Sequence, residues 1–206
     1  MIEKDTYKTI VKASPEVLFK DKNSKFYGYA FPVTTEEEVK THLEDLKKQH
    51  HQARHWCYAY QLGKSENEYN FRANDDGEPN NSAGMPIYGQ IQSFEVTNVL
   101  IVVVRYFGGI KLGVSGLINA YRTGAQMALE ASKIVTRTIN VKYVITFDYK
   151  NMNTVMRIVK EKKLNVINQT LELRCELIIS VRLKEATSIY EIFDHLYEID
   201  IKTLND

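Results

Sequence analysis

Residues 99–104, Val-Leu-Ile-Val-Val-Val, offer no polar position on either face. An apolar run this short and this rich in β-branched residues reads as a strand buried on both sides of a sheet. Upstream, His55-Trp56-Cys57-Tyr58-Ala59-Tyr60 alternates. Its period of two sends Trp56, Tyr58 and Tyr60 to one face and His55, Cys57 and Ala59 to the other. Residues 6–33 alternate around Lys20–Lys25, the pattern of a hairpin. Helical spacing takes over after Thr35-x-x-Glu38, a capping-box pattern, with Val39, Leu43 and Leu46 on one face. The polar run Lys47–His51 ends that helix, and His50 and His51 are expected in solvent.

A short helix is expected from Ser82, its capping hydroxyl, to about Phe94. A longer one follows Gly113, with Val114, Leu117, Ile118, Tyr121, Ala125 and Ala128 on one stripe. Ser115, Asn119, Arg122 and Gln126 fall on or near its polar side. Thr136–Ile139 reads as a junction. Beyond it the pattern gives strand (141–148), helix (Met152, Val155, Met156, Val159) and strand (164–170). Alternating Leu171, Leu173, Cys175, Leu177, Ile179, Val181 and Leu183 form the next buried row, before a helix with Ile189, Ile192, Phe193 and Leu196 and a last strand near 199–201. The order β-α-β-β-α-β is ferredoxin-like. The expected class is therefore α+β, with domains at 1–136 and 137–206.

Composition narrows the function classes. The 206 residues are 44% hydrophobic and 26% charged, an ordinary globular mix. Lys plus Arg number 27 against 26 Asp plus Glu, so no global positive field points to nucleic acid, although a local basic patch stays open. Cys57 and Cys175 are far apart, which excludes a disulfide framework or a four-cysteine zinc site and suits a reducing cytosol. The N-terminus has charges where a signal peptide needs an apolar run, and Val99–Val104 is far too short to span a bilayer. The expectation is a cytoplasmic protein with no membrane segment, cofactor or metal.

Two segments carry candidate chemistry. In Arg105-Tyr106-Phe107-Gly108-Gly109-Ile110-Lys111-Leu112-Gly113-Val114-Ser115-Gly116, a buried strand runs through a glycine-rich loop into a helix. That arrangement turns backbone N–H groups and the positive helix end toward an anion. The candidate anion or nucleic-acid ligands are Arg105, Gly108, Gly109, Lys111, Gly113, Ser115 and Gly116; neither the P-loop nor the dinucleotide fingerprint is present. The bland alternative is that the glycines only permit positive φ and close packing. In the second segment, Asp75-Asp76-Gly77-Glu78-Pro79, good turn chemistry competes with an acid–base or metal site built from His55, Asp75, Asp76 and Glu78. His55 and Cys57 share a strand face, but their Cα atoms stand about 6.5–7 Å apart, too far for the direct hydrogen bond of a nucleophile pair.

Taken together, His55-x-Cys57-x-Ala59-Tyr60, Asp75-Asp76-Gly77-Glu78-Pro79 with Ala83-Gly84-x-Pro86, and Arg105-Tyr106-Phe107-Gly108-Gly109-x-x-Leu112-Gly113 resemble the signature of the Impact/YigZ family. The close match covers residues 55–121, and the C-terminal unit is similar to the second domain of the bacterial members. The resemblance implies a first domain like domain 2 of ribosomal protein S5 and a second like the last domain of elongation factor G. Both relatives touch RNA or ribosomes, and the eukaryotic relative regulates translation. Asn119 stands where the family tends to have Arg, which removes a cation near the glycine loop, and Asn81-Ser82 replaces a Gly-Thr pair. The resemblance implies a non-enzymatic binding protein whose partner is RNA, the ribosome or a translation factor. An enzyme acting on a phosphorylated or small polar ligand, and a protein–protein module using the exposed face of the second sheet, remain the alternatives.

Overall fold

The computed structural model describes residues 4–204. They form two compact units, Tyr7–Arg137 on one hand and the described parts of Met1–Thr6 and Thr138–Asp206 on the other. The expected boundary after residue 136 lies next to the observed one, but residues 4–6 fall in the unit with Thr138–Asp206 rather than in the first domain.

In chain order the first part contains β1 (Thr6–Ile10), β2 (Val17–Asp21), β3 (Ser24–Pro32), α1 (Glu36–Gln49), β4 (His55–Leu62), β5 (Asn70–Asn74), α2 (Gly84–Ser93), β6 (Val99–Tyr106), α3 (Gly113–Glu130) and β7 (Ile134–Thr138). A five-stranded sheet has the order β2-β3-β6-β4-β5, every neighbour antiparallel, while β1 pairs with β7. The apolar run sits at the centre: Val99 to Val104 are each fully buried. Val99, Ile101 and Val103 pack among residues of α2 and α3, and Leu100, Val102 and Val104 pack with Val39 and Leu46 of α1. The aromatic strand divides as its period requires, Cys57 and Ala59 joining the first cluster and Trp56, Tyr58 and Tyr60 the second. Helix α3 lies close on β3, because a Cβ on Gly28 would stand 2.5 Å from the Gly124 carbonyl oxygen.

Local chemistry explains several boundaries. Thr35 caps α1 in a complete capping box, accepting from the Glu38 N–H at 3.2 Å while Glu38 reaches back to the Thr35 N–H. The hairpin is narrower than 6–33: β2 and β3 turn through Lys22 and Asn23 (φ 43° and 64°), and the first strand leaves to pair with β7. The edge strand β5, Asn70-Phe71-Arg72-Ala73-Asn74, alternates but has only two apolar residues, too short a pattern to stand out. His50 is buried rather than solvated, since the end of α1 brings it against the sheet, with Nε2 2.6 Å from the Tyr29 hydroxyl and Nδ1 3.0 Å from that of Tyr106. Burial pushes its pKa down.

The second unit contains β8 (Asn140–Asp148), α4 (Met152–Glu161), β9 (Asn165–Thr170), β10 (Arg174–Arg182), α5 (Leu183–Asp194) and β11 (Ile199–Leu204). The sheet order β11-β8-β10-β9, antiparallel throughout, completes the βαββαβ unit and the α+β class. Its buried row is shorter than the alternation suggested. Cys175, Leu177, Ile179 and Val181 are buried against Val155, Val159, Ile189 and Phe193, but Leu171 and Leu173 lie in the β9–β10 turn and are exposed. The N-terminal residues are tied into this unit: Asp5 accepts from Arg182 Nε at 2.5 Å, and its carbonyl accepts from the Ile139 N–H at 2.8 Å. Among the described residues no helix is long and apolar enough to cross a membrane.

Candidate functional site

Sheet register assembles the site. In the antiparallel pairing of β4 with β6, His55 lies opposite Arg105, and on the other side of β6 Arg105 lies opposite Phe26. Directly opposed residues project to one face with Cβ atoms about 4.5–5.5 Å apart. This places an imidazole, a guanidinium and a phenyl ring in one row at the end of the central strands. The guanidinium lies 5.6 Å from the Phe26 ring centroid and 5.5 Å from that of Phe107, so two aromatic rings attend it.

The acidic loop docks on the same strand end. Asp76 and Gly77 both take positive φ (42° and 86°) and fold the chain back over β4. The Trp56 N–H donates to Asp76 Oδ2 at 2.7 Å, and the Cys57 thiol donates to the Asp75 carbonyl at 2.9 Å. His55 Nδ1 stands 2.8 Å from the Asp76 carbonyl. A carbonyl can only accept, so the neutral ring carries its hydrogen on Nδ1 and its lone pair on Nε2. Cys57 is fully buried, and burial pushes its thiol far up, away from the thiolate a nucleophile requires.

The three carboxylates have separate tasks. Asp75 Oδ1 accepts from the Ala83 and Gly84 N–H groups at 2.9 and 2.8 Å, and Oδ2 from Asn81 at 2.8 Å. Asp75 therefore caps α2 across nine residues of sequence, a position favoured by the helix dipole. Ser82, the expected cap, instead donates its hydroxyl to the Pro79 carbonyl at 2.6 Å. Asp76 holds the Trp56 backbone. Glu78 is buried, and its Oε1 accepts from Arg105 Nη1 at 2.5 Å and from the Tyr121 hydroxyl at 2.8 Å. Of the four acid–base candidates, Asp75 alone has both polar side-chain atoms engaged in these contacts; His55 Nε2, Asp76 Oδ1 and Glu78 Oε2 take no part in them.

Beside this row opens a cavity of about 710 Å³. Its wall brings together His55, Glu78, Arg105, Lys111 and Gly113 from the two candidate segments. Gly108, Gly109, Ser115 and Gly116 do not line it. Gly108 serves packing: its N–H donates to the Ser24 hydroxyl at 3.1 Å, and an added Cβ would lie 2.1 Å from the Asn23 backbone. Ser115 is exposed on the third position of α3. Helix α3 starts at the cavity wall without a side-chain cap or an acidic residue in its first turn, so nothing in that turn offsets its partial positive charge. Arg105, 7% exposed, lines the cavity, and its buried Nε–H has no hydrogen-bond partner among the described residues.

Residues not anticipated as site members complete the wall. Arg54 adds a second exposed cation to the lining, in addition to Lys111, and neither has an ion-pair partner among the described residues. Arg54 precedes His55 at the start of β4, the one cue that was available. Phe107, 55% exposed, and Val114, 53% exposed, supply apolar surface with Leu112 and Leu117. Val114 was expected in the core stripe; it lies in the first turn of α3, ahead of where the helix meets the sheet. No group of three or more His, Cys, Asp or Glu among the described residues is arranged to hold a metal ion.

Comparison with known proteins gives a consistent picture. Residues 22–129 match the model of the Impact N-terminal domain. The chain is 38% identical over 134 residues to the IMPACT family member YvyE of Bacillus subtilis, covering 65% of this chain and 60% of that one. It is 29% identical over 160 residues to the IMPACT family member YigZ of Escherichia coli (strain K12), covering 77% and 78%. A crystal structure of a hypothetical protein is similar with a TM-score of 0.71 at 24% identity, covering 98% of both chains, a likeness of fold.

Proposed function

The chain belongs to the Impact N-terminal domain family, and from that premise we propose that it is a binding protein that engages RNA of the translation apparatus through the cavity at the start of α3. One observation carries the reading. An uncapped helix N-terminus opens on a cavity that also collects Arg54, Lys111 and the buried, partly unpaired guanidinium of Arg105. Helix-end amides and converging cations are the equipment for a phosphate group. The kinship of both expected folds with domains that touch RNA or ribosomes supports the same direction, as analogy of fold.

The charge count sets the scale. A net charge of +1 gives no long-range field, so affinity comes from a few local contacts. Two unpaired cations imply a shallow salt dependence, with log K falling against log salt at a slope of about −1.4 for single strands. Fluorescence anisotropy of labelled RNA over a salt series tests this. Binding with a shallow slope that weakens about tenfold or more in Arg54→Ala/Lys111→Ala is the expected result. Unchanged affinity in that double variant, or a slope several times steeper, removes the cavity from RNA recognition.

A further inference from the structure

The cavity is lined by two unlike sets of residues, and a bare phosphate accounts for only one of them. The helix end, Lys111 and Arg54 supply charge, while Pro79, Phe107, Val114 and Leu117 supply apolar surface. Phe107 and Val114 are more than half exposed, beside a charged site where exposed apolar side chains gain nothing from an inorganic ion. The volume of about 710 Å³ falls in the range of pockets that enclose a whole small organic ligand with a few placed polar groups.

We propose that the ligand unit of this cavity is a single unpaired nucleotide, with its phosphate at the N-terminus of α3 between Arg54 and Lys111 and its base against Phe107. This rests on the anion-binding reading above and specifies what the anion is attached to. Bases in a duplex are stacked and paired, so a double strand presents phosphates but nothing planar and apolar to the apolar residues. An unpaired base exposes its π-face and stacks on aromatic side chains. Phe107 suits that task. Arg105 lies 5.5 Å from its centroid and covers one side of the ring, and the ring's 55% exposure leaves the rest open. Arg105 is itself fixed by Glu78 and by the Phe26 ring, so the platform is held from beneath before any ligand arrives. The same recognition serves a free nucleotide and one residue of a single-stranded RNA.

The test measures binding of the full chain to inorganic phosphate, a nucleoside monophosphate, a single-stranded RNA octamer and a duplex of the same sequence. Each is repeated with Phe107→Ala, Phe107→Trp and Lys111→Ala. Phe107 is exposed, so its variants keep the fold, which circular dichroism checks. The octamer is expected to bind at least tenfold more tightly than the duplex. Phe107→Ala should weaken the octamer about tenfold, within the range found for loss of one stacked base, Phe107→Trp should restore it, and the weak binding of inorganic phosphate should not change. Lys111→Ala should weaken all anionic ligands together. Binding of the monophosphate with the same Phe107 dependence but no octamer binding assigns the site to free nucleotides; the nucleotide inference then stands and the RNA reading fails. Equal binding of octamer and duplex, indifferent to Phe107→Ala, overturns the nucleotide inference and leaves RNA binding in place. If none of the four ligands binds, both fail.

Discussion

Glu78 and Arg105 form a buried ion pair at the cavity wall, with side chains 5% and 8% exposed. Replacing Glu78 by Ala strands the guanidinium and also deprives the Tyr121 hydroxyl of its acceptor. Breaking a buried pair from one side costs about 3–5 kcal/mol, because a charge is left without compensation. Both groups border a cavity that water can enter, so the lower end applies, about 3 kcal/mol, or roughly 150-fold in the unfolding constant. Trp56 is the single tryptophan and sits in the unit Tyr7–Arg137, so its fluorescence in urea follows that unit. With a slope near 2 kcal/mol per molar, the midpoint should drop by about 1.5 M. Arg105→Met should cost a similar amount, since it leaves the carboxylate alone. The double variant Glu78→Ala/Arg105→Met should lose at least about 2 kcal/mol less than the sum of the two. Tyr121→Phe isolates the phenol, at about 1 kcal/mol. Additive losses in the double variant, or a loss below about 1 kcal/mol for Glu78→Ala, would refute the reasoning and mean that the guanidinium is already hydrated through the cavity.

Asp75→Ala removes the acceptor of three backbone N–H groups at the start of α2 and should destabilise the same unit by about 2–4 kcal/mol; hydrogen exchange should speed most at Asn81, Ala83 and Gly84, and unchanged protection there would contradict the capping role. His50 has its pKa pushed down from 6.5, chiefly by burial and against the pull of Glu16. The unfolded chain therefore binds more protons, so the stability held by neutral His50 is complete above about pH 6.5 and is lost as pH falls toward the lower folded value. Urea midpoints of the wild type should decline across that window, and His50→Gln should flatten the decline; identical pH profiles would sink this assignment.

Legibility followed the strength of local patterning. Val99–Val104 and the aromatic strand read correctly because period and composition allow only one burial pattern for each. The capping box of α1 and the βαββαβ order were equally plain. The cap of α2 was not, because the residue that fills it, Asp75, lies outside the helix's own local motif and reaches it only after the loop has folded. His50 looked solvent-exposed in a polar run, since nothing nearby in sequence announces Tyr29 and Tyr106 as its partners. For the candidate site, the glycine-rich and acidic segments could be picked out by composition, but their meeting depends on the His55–Arg105 register, a long-range fact. The division of labour within each segment was hidden for the same reason: Gly108 serves the turn at Asn23 while Phe107 next to it faces the cavity.

The salt bridge from Asp5 to Arg182 spans 177 positions of chain. During synthesis Arg182 is added 177 residues after Asp5, once the whole of Tyr7–Arg137 has been made. At roughly 5–20 residues per second, that interval is on the order of ten seconds or more, ample for the intervening unit to fold alone. The segment around Asp5 must wait for its partner until the intervening unit has been made, so a unit interrupted by another can close only after the insertion is complete.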